Sequence, residues 1–348
     1  MSVQALKDQA QFLVSQAGAG VVESVNRVLG GRNNQVFKVE TTSGRAFALK
    51  IYFSHAEDRR DRLGAEYAFC RYAWAEGLRC IPEPVAADHE SRTGLYAWVS
   101  GAAPDLSQVS NDAIGKVLSF LVGLNGGRHT EAATNLPLAS EACLSINAHV
   151  ETVGNRLDTL IAGLGDDSLE RNARQFLNEL QEIWNTVRSY VESTTRGDGV
   201  GSRQLIQAQQ CISPSDLGFH NALVNADGEF TFLDFEYAGW DDPAKLVCDF
   251  FHQEKVPVPR AYYNEFRDRL VAGHPDPENE ASRIDRLMPV YGVKWLIMRL
   301  NEFRPDGAYR RAFADPQKNP EERKVSQLEK AHTALEALKA ELEETRIL

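Results

Sequence analysis

Cysteine is scarce in this chain of 348 residues: five, at positions 70, 80, 143, 211 and 248, an odd number with no Cys-x-x-Cys pair. That excludes a disulfide framework and predicts reduced thiols in a cytoplasmic protein. A zinc site has no ligand cluster to build on. Long apolar runs are missing too. The longest, such as Phe230–Phe235, fall far short of a membrane span. The opening stretch MSVQALKDQAQFLVSQAGAG carries Lys7, Asp8, Gln9 and Gln11 where a signal peptide would be apolar, so no secretory leader is expected. No internal repeat is visible. Positive charge is in deficit: 38 Lys and Arg stand against 49 Asp and Glu, a formal net charge of −11. This argues against nucleic acid or an anionic membrane as partner, but not against a local basic pocket for phosphates.

What is present is a globular composition, 43% hydrophobic and 25% charged. The length suits two or three packed units or one bilobal enzyme. The first hundred residues read as strands with one clear helix. Val21–Leu29 is β-rich and runs into Gly30-Gly31-Arg32-Asn33-Asn34; Gln35–Thr41 resumes the strand, Ser43-Gly44 turns, and Arg45–Phe53 follows. In Arg45–Phe53, alternation puts Phe47, Leu49, Ile51 and Phe53 on a core face. Ala46, Ala48, Lys50 and Tyr52 form the other face, against which a flat ligand could lie. On this strand alone the simpler explanation of Lys50 is a solvent-facing lysine. Ala56–Gly77 has helical period, with Leu63, Tyr67, Cys70 and Trp74 on one stripe and Glu66 at its edge. A carboxylate at a core edge needs a partner, and Lys50 is the available cation. Gly77 and the Pro82/Pro84 pair end that region, and Thr93–Val99 reads as a strand.

Beyond Gly101 the pattern turns helical, with helices expected over about 107–125, 141–164, 167–193, 243–253, 259–272 and 280–303. Two β-like stretches interrupt them, Leu205–Ile212 and Ala222–Phe235, the second with an Asn225-Ala226-Asp227-Gly228 turn. The composition shift places a boundary near residue 100 and predicts three parts: 1–100, 101–315 and 316–348. The last reads as one long helix from Pro320. Leu328, Leu335 and Leu342 are seven apart, but His332 and Lys339 spoil a coiled-coil seam. The stripe Leu328, Ala331, Leu335, Leu338 and Leu342 suits packing on the same chain, in a monomer or a homodimer.

The chemistry concentrates in Ser213-Pro-Ser-Asp-Leu-Gly-Phe-His-Asn and Phe230-Thr-Phe-Leu-Asp-Phe-Glu-Tyr-Ala-Gly-Trp. A hairpin between the two segments would bring Asp216, Asn221 and Asp234 to one end. An Asn carbonyl and an Asp carboxylate suit Mg²⁺, a hard ion that takes oxygen ligands. A second Asp can orient an attacking hydroxyl and accept its proton late in a loose phosphoryl-transfer transition state. A polar turn explains Asp216 and Asn221 taken alone. It does not explain Asp234 and Glu236 closing an apolar strand directly afterwards.

In this order the motifs resemble the aminoglycoside phosphotransferase/choline kinase family, over roughly residues 20–305. Leu233-Asp-Phe-Glu-Tyr-Ala-Gly resembles its metal-binding motif and Asp216-x-x-x-x-Asn221 its catalytic loop. Ala48-Leu49-Lys50 resembles the small-lobe strand, and Gly30-Gly31-Arg32-Asn33-Asn34 the phosphate loop. The resemblance implies an α+β, bilobal protein-kinase-like fold, with a small β-rich N-lobe and a larger, mainly helical C-lobe. It implies an ATP-dependent phosphotransferase with Mg²⁺ that acts on a hydroxyl of a small molecule. Asp216 would be the catalytic base or hydroxyl-positioning residue. Asn221 and Asp234 would bind Mg²⁺, with Glu236 beside them. Lys50, held by Glu66, would contact the α/β-phosphates. Gly30, Gly31, Asn33 and Asn34 would face the phosphates, and Ala48 would pack on adenine. The hinge Tyr96–Val99 would read the purine through Ala97, Trp98 and Val99.

The chain departs from the family in three places. Pro214 and Ser215 stand where the catalytic loop usually has His and Gly or Asn. The Asp usual in Pro-Ala-Tyr-Asp-Leu-Ala is lost from Pro243-Ala-Lys-Leu-Val-Cys-Asp249 or displaced to 249. His220 beside Asn221 is unusual and reads as a structural imidazole. For the acceptor, a sugar, an amino alcohol and an aminoglycoside-like molecule stay open. A choline box would draw on Trp184, Trp240 and Trp295, with Tyr237 and Tyr291. Trp295, Arg299, Asn301 and Glu302 lie where relatives line the acceptor site, although the charged ones could equally brace a helix. The alternative is a catalytically silent kinase-like nucleotide-binding module. A protein kinase fits less well, because no activation segment follows Asp234.

Overall fold

The computed structural model describes residues 2–29, 34–55, 58, 60–197, 199–304 and 319–348. Five strands near the N-terminus form one antiparallel sheet: β1 (Val22–Val28), β2 (Gln35–Thr41), β3 (Ala46–Ile51), β4 (Pro84–Asp88) and β5 (Thr93–Ala97), in the order β1-β2-β3-β5-β4. β4 is not expected from the sequence, because its Pro84 reads as a helix terminator; it pairs only with β5, at the sheet edge, where proline is tolerated. The sequence predicts one helix here, and the structure has two. α1 (Val3–Gln16), capped by the Ser2 hydroxyl, lays Ala10, Leu13 and Val14 on Phe47, Leu49 and Leu95 of the sheet. The core face of β3 is thus the α1 face, and the opposite face of Lys50 and Tyr52 is turned to the rest of the chain. α2 (Arg62–Ala75) starts later than residue 56, where the Asp61 carboxylate accepts the Gly64 N–H.

The remainder is mainly helical: α3 (Asn111–Gly126), α4 (Glu131–Thr134), α5 (Ile146–Ala162), α6 (Ser168–Thr194), α7 (Pro243–His252), α8 (Tyr263–Val271), α9 (Pro277–Arg299) and α10 (Pro320–Glu344). Two small antiparallel ribbons lie between α6 and α7. β6 (Cys211–Ser213) pairs with β9 (Gly239–Asp241), and β7 (Ala222–Val224) with β8 (Phe230–Phe232). The β7–β8 turn forms as expected, with the Asn225 side chain accepting the Asp227 and Glu229 N–H groups, both at 2.9 Å. Leu205–Ile212 is strand only at its end.

The apolar interior falls into two clusters. The smaller joins α1 to the sheet. The larger runs through the helical part and takes in the buried face of α2, whose Phe69 ring lies 4.7 Å from that of Phe235. The boundary near residue 100 is therefore a boundary of composition, and α2 bridges it. At the crossing, Ala102 pairs with Val224 of β7, and a Cβ on Gly101 would meet the Val224 carbonyl at 2.9 Å. Only glycine lets the linker lie this close to the hairpin that carries the site.

Candidate active site

The loop from β6 to β7 holds Asp216 and Asn221, and Asp234 follows β8. Ser215 and Asp234 both adopt left-handed backbone, φ 65° and 67°. Such strain costs about 1–3 kcal/mol per residue and persists only where the surroundings impose it. Around Ser215 the constraint is visible. Its N–H donates to the Ser213 hydroxyl at 3.0 Å. Its own hydroxyl accepts from Lys245 Nζ at 3.0 Å, and Asp241 anchors that ammonium at 2.7 Å. Lys245 thus braces the loop where Pro214 and Ser215 replace the family residues.

Asp216 accepts from Asn221 Nδ2 at 3.2 Å and meets His220 Nε2 at 3.3 Å. Burial would raise its pKa, but His220 and Asn221 outweigh it and hold the carboxyl below the ordinary aspartate range. His220 therefore supports the Asp216 carboxylate directly, which is more than the structural part its sequence context suggests. A Cβ on Gly218 would lie 2.5 Å from the His220 ring, so this glycine clears the space for the imidazole. Asn221 commits its amide nitrogen to Asp216, and its carbonyl oxygen accepts from no donor among the described residues. The Asn221 main-chain carbonyl accepts the Leu233 N–H at 2.8 Å, tying the loop to the residue before Asp234.

Lys50 enters from β3, registered between Val36 and Gly94. Its ammonium bonds Glu66 of α2 at 2.6 Å and also the Asp234 carboxylate. Desolvation opposes the lysine's charge, but Asp234 and Glu66 push its pKa up. Burial lifts Glu66 to about 6 against the pull of Lys50. Tyr52 donates to Glu66 at 2.9 Å and shares a 2.8 Å bond with Tyr96, a support with no signal in the sequence. Asp216 and Asp234 stay accessible, with side chains 39% and 36% exposed. Asn221 and Asp234 offer only hard oxygen donors, and no group of three or more His, Cys, Asp or Glu forms a metal cluster among the described residues. That set fits Mg²⁺, which takes one or two protein ligands and completes its shell with phosphate and water.

Glu236 is 1% exposed and holds Arg62 Nη1 at 2.9 Å and Asn34 Nδ2 at 2.6 Å. Asn34 is consumed in the same bridge and in accepting the Phe53 N–H at 3.0 Å. Gly30, Gly31 and Asn33 lie outside the described residues. Ala48 is half-buried on the Lys50 face. The amides of Ala97 and Trp98 are taken by the carbonyls of Glu83 and Ala46. Of the three hinge residues, Val99 has the N–H that no described residue accepts.

A cavity of about 190 Å³ opens beside Asp216. Trp295, Met298 and Asn301 line it at helical spacing, Trp295 and Asn301 as expected and Met298 in addition. Arg299 and Glu302 point elsewhere, pairing with Glu254 at 2.6 Å and Arg323 at 3.3 Å. Trp240 is 5% exposed and gives its indole N–H to the Ala133 carbonyl, so it is core. Trp184 and Tyr291 are buried as well, so of the five aromatics named for a choline box only Trp295 and Tyr237 line the cavity. The sequence does not foretell Arg60, Ser140, Glu141, Arg156, Lys245, Lys294 and Arg304 on these walls. Of these only Lys245 carries a signal, four residues before Asp249 in the helix expected over 243–253. Asp249 lines the cavity too. It accepts Lys294 at 2.8 and 2.9 Å and the Trp295 indole at 2.9 Å.

The sequence profile of the phosphotransferase enzyme family matches residues 24–251. No curated protein matches the sequence. Among solved structures, a choline kinase from Cryptosporidium parvum Iowa II superposes with a TM-score of 0.59 at 11% identity, covering 100% of this chain and 98% of that one. A choline/ethanolamine kinase family protein from Mesorhizobium loti gives 0.58 at 16% identity, covering 95% of each. A spectinomycin phosphotransferase, solved with ADP and spectinomycin, gives 0.53 at 13% identity, covering 92% of this chain and 98% of that one. At these identities the likeness establishes the bilobal kinase-like fold.

Proposed function

Because the chain belongs to the phosphotransferase enzyme family, we propose that it moves the γ-phosphoryl group of ATP to a hydroxyl of a small molecule held beside Asp216. One observation carries this: Lys50 and Asp234, from opposite lobes, meet next to Asp216 and Asn221, and the acceptor cavity opens on Asp216. Asp216, held as the carboxylate by His220 and Asn221, accepts a hydrogen bond from the acceptor hydroxyl and takes its proton as the oxygen–phosphorus bond forms. The bond from the γ-phosphorus to the β,γ-bridging oxygen breaks, and ADP leaves. Lys50, steered by Glu66, draws in the α- and β-phosphates. Asn221 and Asp234 would hold Mg²⁺, which supplies charge neutralisation on the β- and γ-phosphates when bound. Ala48 and the Val99 N–H frame the adenine side.

The test is a coupled ADP-release assay with Mg-ATP against sugars, amino alcohols, aminoglycosides and nucleosides. Turnover is expected with one class and, in Asp216→Ala, a fall of about 10²–10⁴-fold with Mg-ATP affinity retained. Turnover that survives in Asp216→Ala would refute the assignment. Nucleotide binding that needs no Mg²⁺, with no turnover on any class, would instead identify a silent nucleotide-binding module.

A further inference from the structure

The walls of the cavity speak to the class of acceptor, an inference that rests on the phosphotransferase reading of the same site. Arg60, Arg156, Lys245, Lys294 and Arg304 face three acidic residues, Glu141, Asp216 and Asp249. Most of these cations are committed. Lys294 is held by Asp249 through two bonds, Lys245 by Asp241 and Ser215, and Arg60 by both oxygens of Asp58. Arg156 differs. It gives one Nη2 bond to Glu141, and its other guanidinium donors have no acceptor among the described residues. The Glu141 side chain is 44% exposed, against 16% for Arg156, and occupies one of the guanidinium's donors. Arg156 and Arg304 also line a second, shallower groove that continues along α5 past Thr152, Asn155 and Thr159. They therefore stand at the junction of the two spaces, beyond Ser215, Asp216 and Lys245, which line the first alone.

We propose that the acceptor is a hydroxyl compound that also carries an anionic group, a carboxylate or a phosphate, and that Arg156 binds this group at the junction, flanked by Arg304. A planar guanidinium with spare donors matches the two oxygens of such a group, and the charge-assisted bonds are roughly twice as strong as neutral ones. Thr152, Asn155 and Thr159 supply hydroxyl and amide partners for a polar extension along α5. At the junction a polycationic or quaternary ammonium group would instead meet the Arg156 guanidinium, so charge selects against it there.

The experiment measures thermal shifts with the nucleotide site filled by saturating Mg-ADP, and ADP release with Mg-ATP. Glucuronate and gluconate represent carboxylates, glucose 6-phosphate and glycerol 3-phosphate represent phosphates, and glucose, glucosamine and choline are the neutral and cationic controls. At least one anionic compound is expected to raise the Tm above its neutral counterpart, and which pair does so separates carboxylate from phosphate. Arg156→Gln should abolish that shift and lower kcat/KM for the anionic acceptor by about tenfold or more, the worth of about 1.4 kcal/mol. Arg156→Lys should restore part of both, which controls for folding. A neutral or cationic compound that binds as well as the anionic ones overturns the proposal, as does an anionic shift unchanged in Arg156→Gln or no anionic shift at all. The outcomes separate from those of the underlying reading. Turnover of a neutral or cationic acceptor that Asp216→Ala abolishes keeps the phosphotransferase and sinks the anion site. An Arg156-dependent anionic shift with no ADP release from any acceptor does the reverse.

Discussion

A single hydrogen bond to His220 shows how closely Asp216 is positioned. The imidazole reaches the carboxylate only because Gly218 has no side chain: a Cβ there would lie 2.5 Å from Nδ1 and 2.8 Å from Cε1. The backbone at Gly218 is extended, φ 174°, so alanine introduces no strain of its own. It displaces the ring. Gly218→Ala is therefore expected to lower kcat by about 10- to 100-fold, the effect of moving a positioned group by about 1 Å, with Mg-ATP affinity unchanged. Steady-state kinetics beside nucleotide titration checks this, and a parallel loss of affinity would mean that the loop itself had collapsed. Lys245 acts on the same loop from behind, through Ser215, and stands where this chain departs from the family pattern.

Between elements, the junction of β9, α5, α7 and α9 is built around one buried carboxylate. Asp242 caps α7 through the Ala244 N–H at 2.7 Å. The same side chain accepts both Nη groups of Arg283 from α9, and meets His149 of α5 at 2.7 Å. Tyr291 of α9 closes the other side of the imidazole at 2.8 Å. Burial opposes charge on His149, but the Asp242 bond and its charge, with Cys143 alongside, raise the pKa above the ordinary histidine value. A histidine raised in the folded state contributes stability that is complete below its unfolded pKa and is lost as pH rises through the folded one. His149→Gln should therefore destabilise more at about pH 5.5 than at about pH 8.5, and Tm measured across that interval checks the sign. A gap that widens with pH would show that the imidazole is neutral in the fold. Asp242 adjoins Asp241, which holds Lys245, so this junction also sets the rear of the loop that carries Asp216.

For the molecule as a whole, two features decide how the parts hold together. Beside the apolar contact of Phe69 with Phe235, the lobes meet through polar pairs, Lys50 with Asp234, and Arg62 and Asn34 with Glu236. Mg-ATP binding across that seam should stabilise the fold by about 2.7 kcal/mol at a hundredfold excess over Kd, by mass action. Calorimetry with and without EDTA tests this, and Asp234→Ala should reduce the gain. At the far end, α10 buries Leu328, Ala331, Leu335, Leu338 and Leu342. Salt bridges rim the contact, Lys339 to Glu179 of α6 and Arg260 to Glu341. Leu335 is 1% exposed, so Leu335→Ala should cost about 2–5 kcal/mol in denaturant unfolding while kcat/KM stays unchanged. A matching loss of activity would tie α10 to the site. No helix among the described residues is long and apolar enough to cross a membrane.

Local chemistry is legible in the sequence. Asp216 and Asn221 share one short loop, Lys50 alternates on one strand and Glu66 sits at a helix edge; over such spans backbone periodicity alone dictates which side chains share a face. The same holds for most helices of the second half. Long-range partnership is not legible. Glu236 goes to Arg62 and Asn34, and Trp240 to the core. Arg156 and Glu141 meet across the loop before α5, and α1 packs on a sheet whose core face the strand pattern leaves without a partner. Which buried charge meets which counter-charge is chosen by packing, because desolvation makes an unpaired buried ion too costly and any neighbour brought close by the fold can satisfy it. The groups proposed to react are therefore legible in the sequence, and the pairing of charges around the cavity is decided by the tertiary structure.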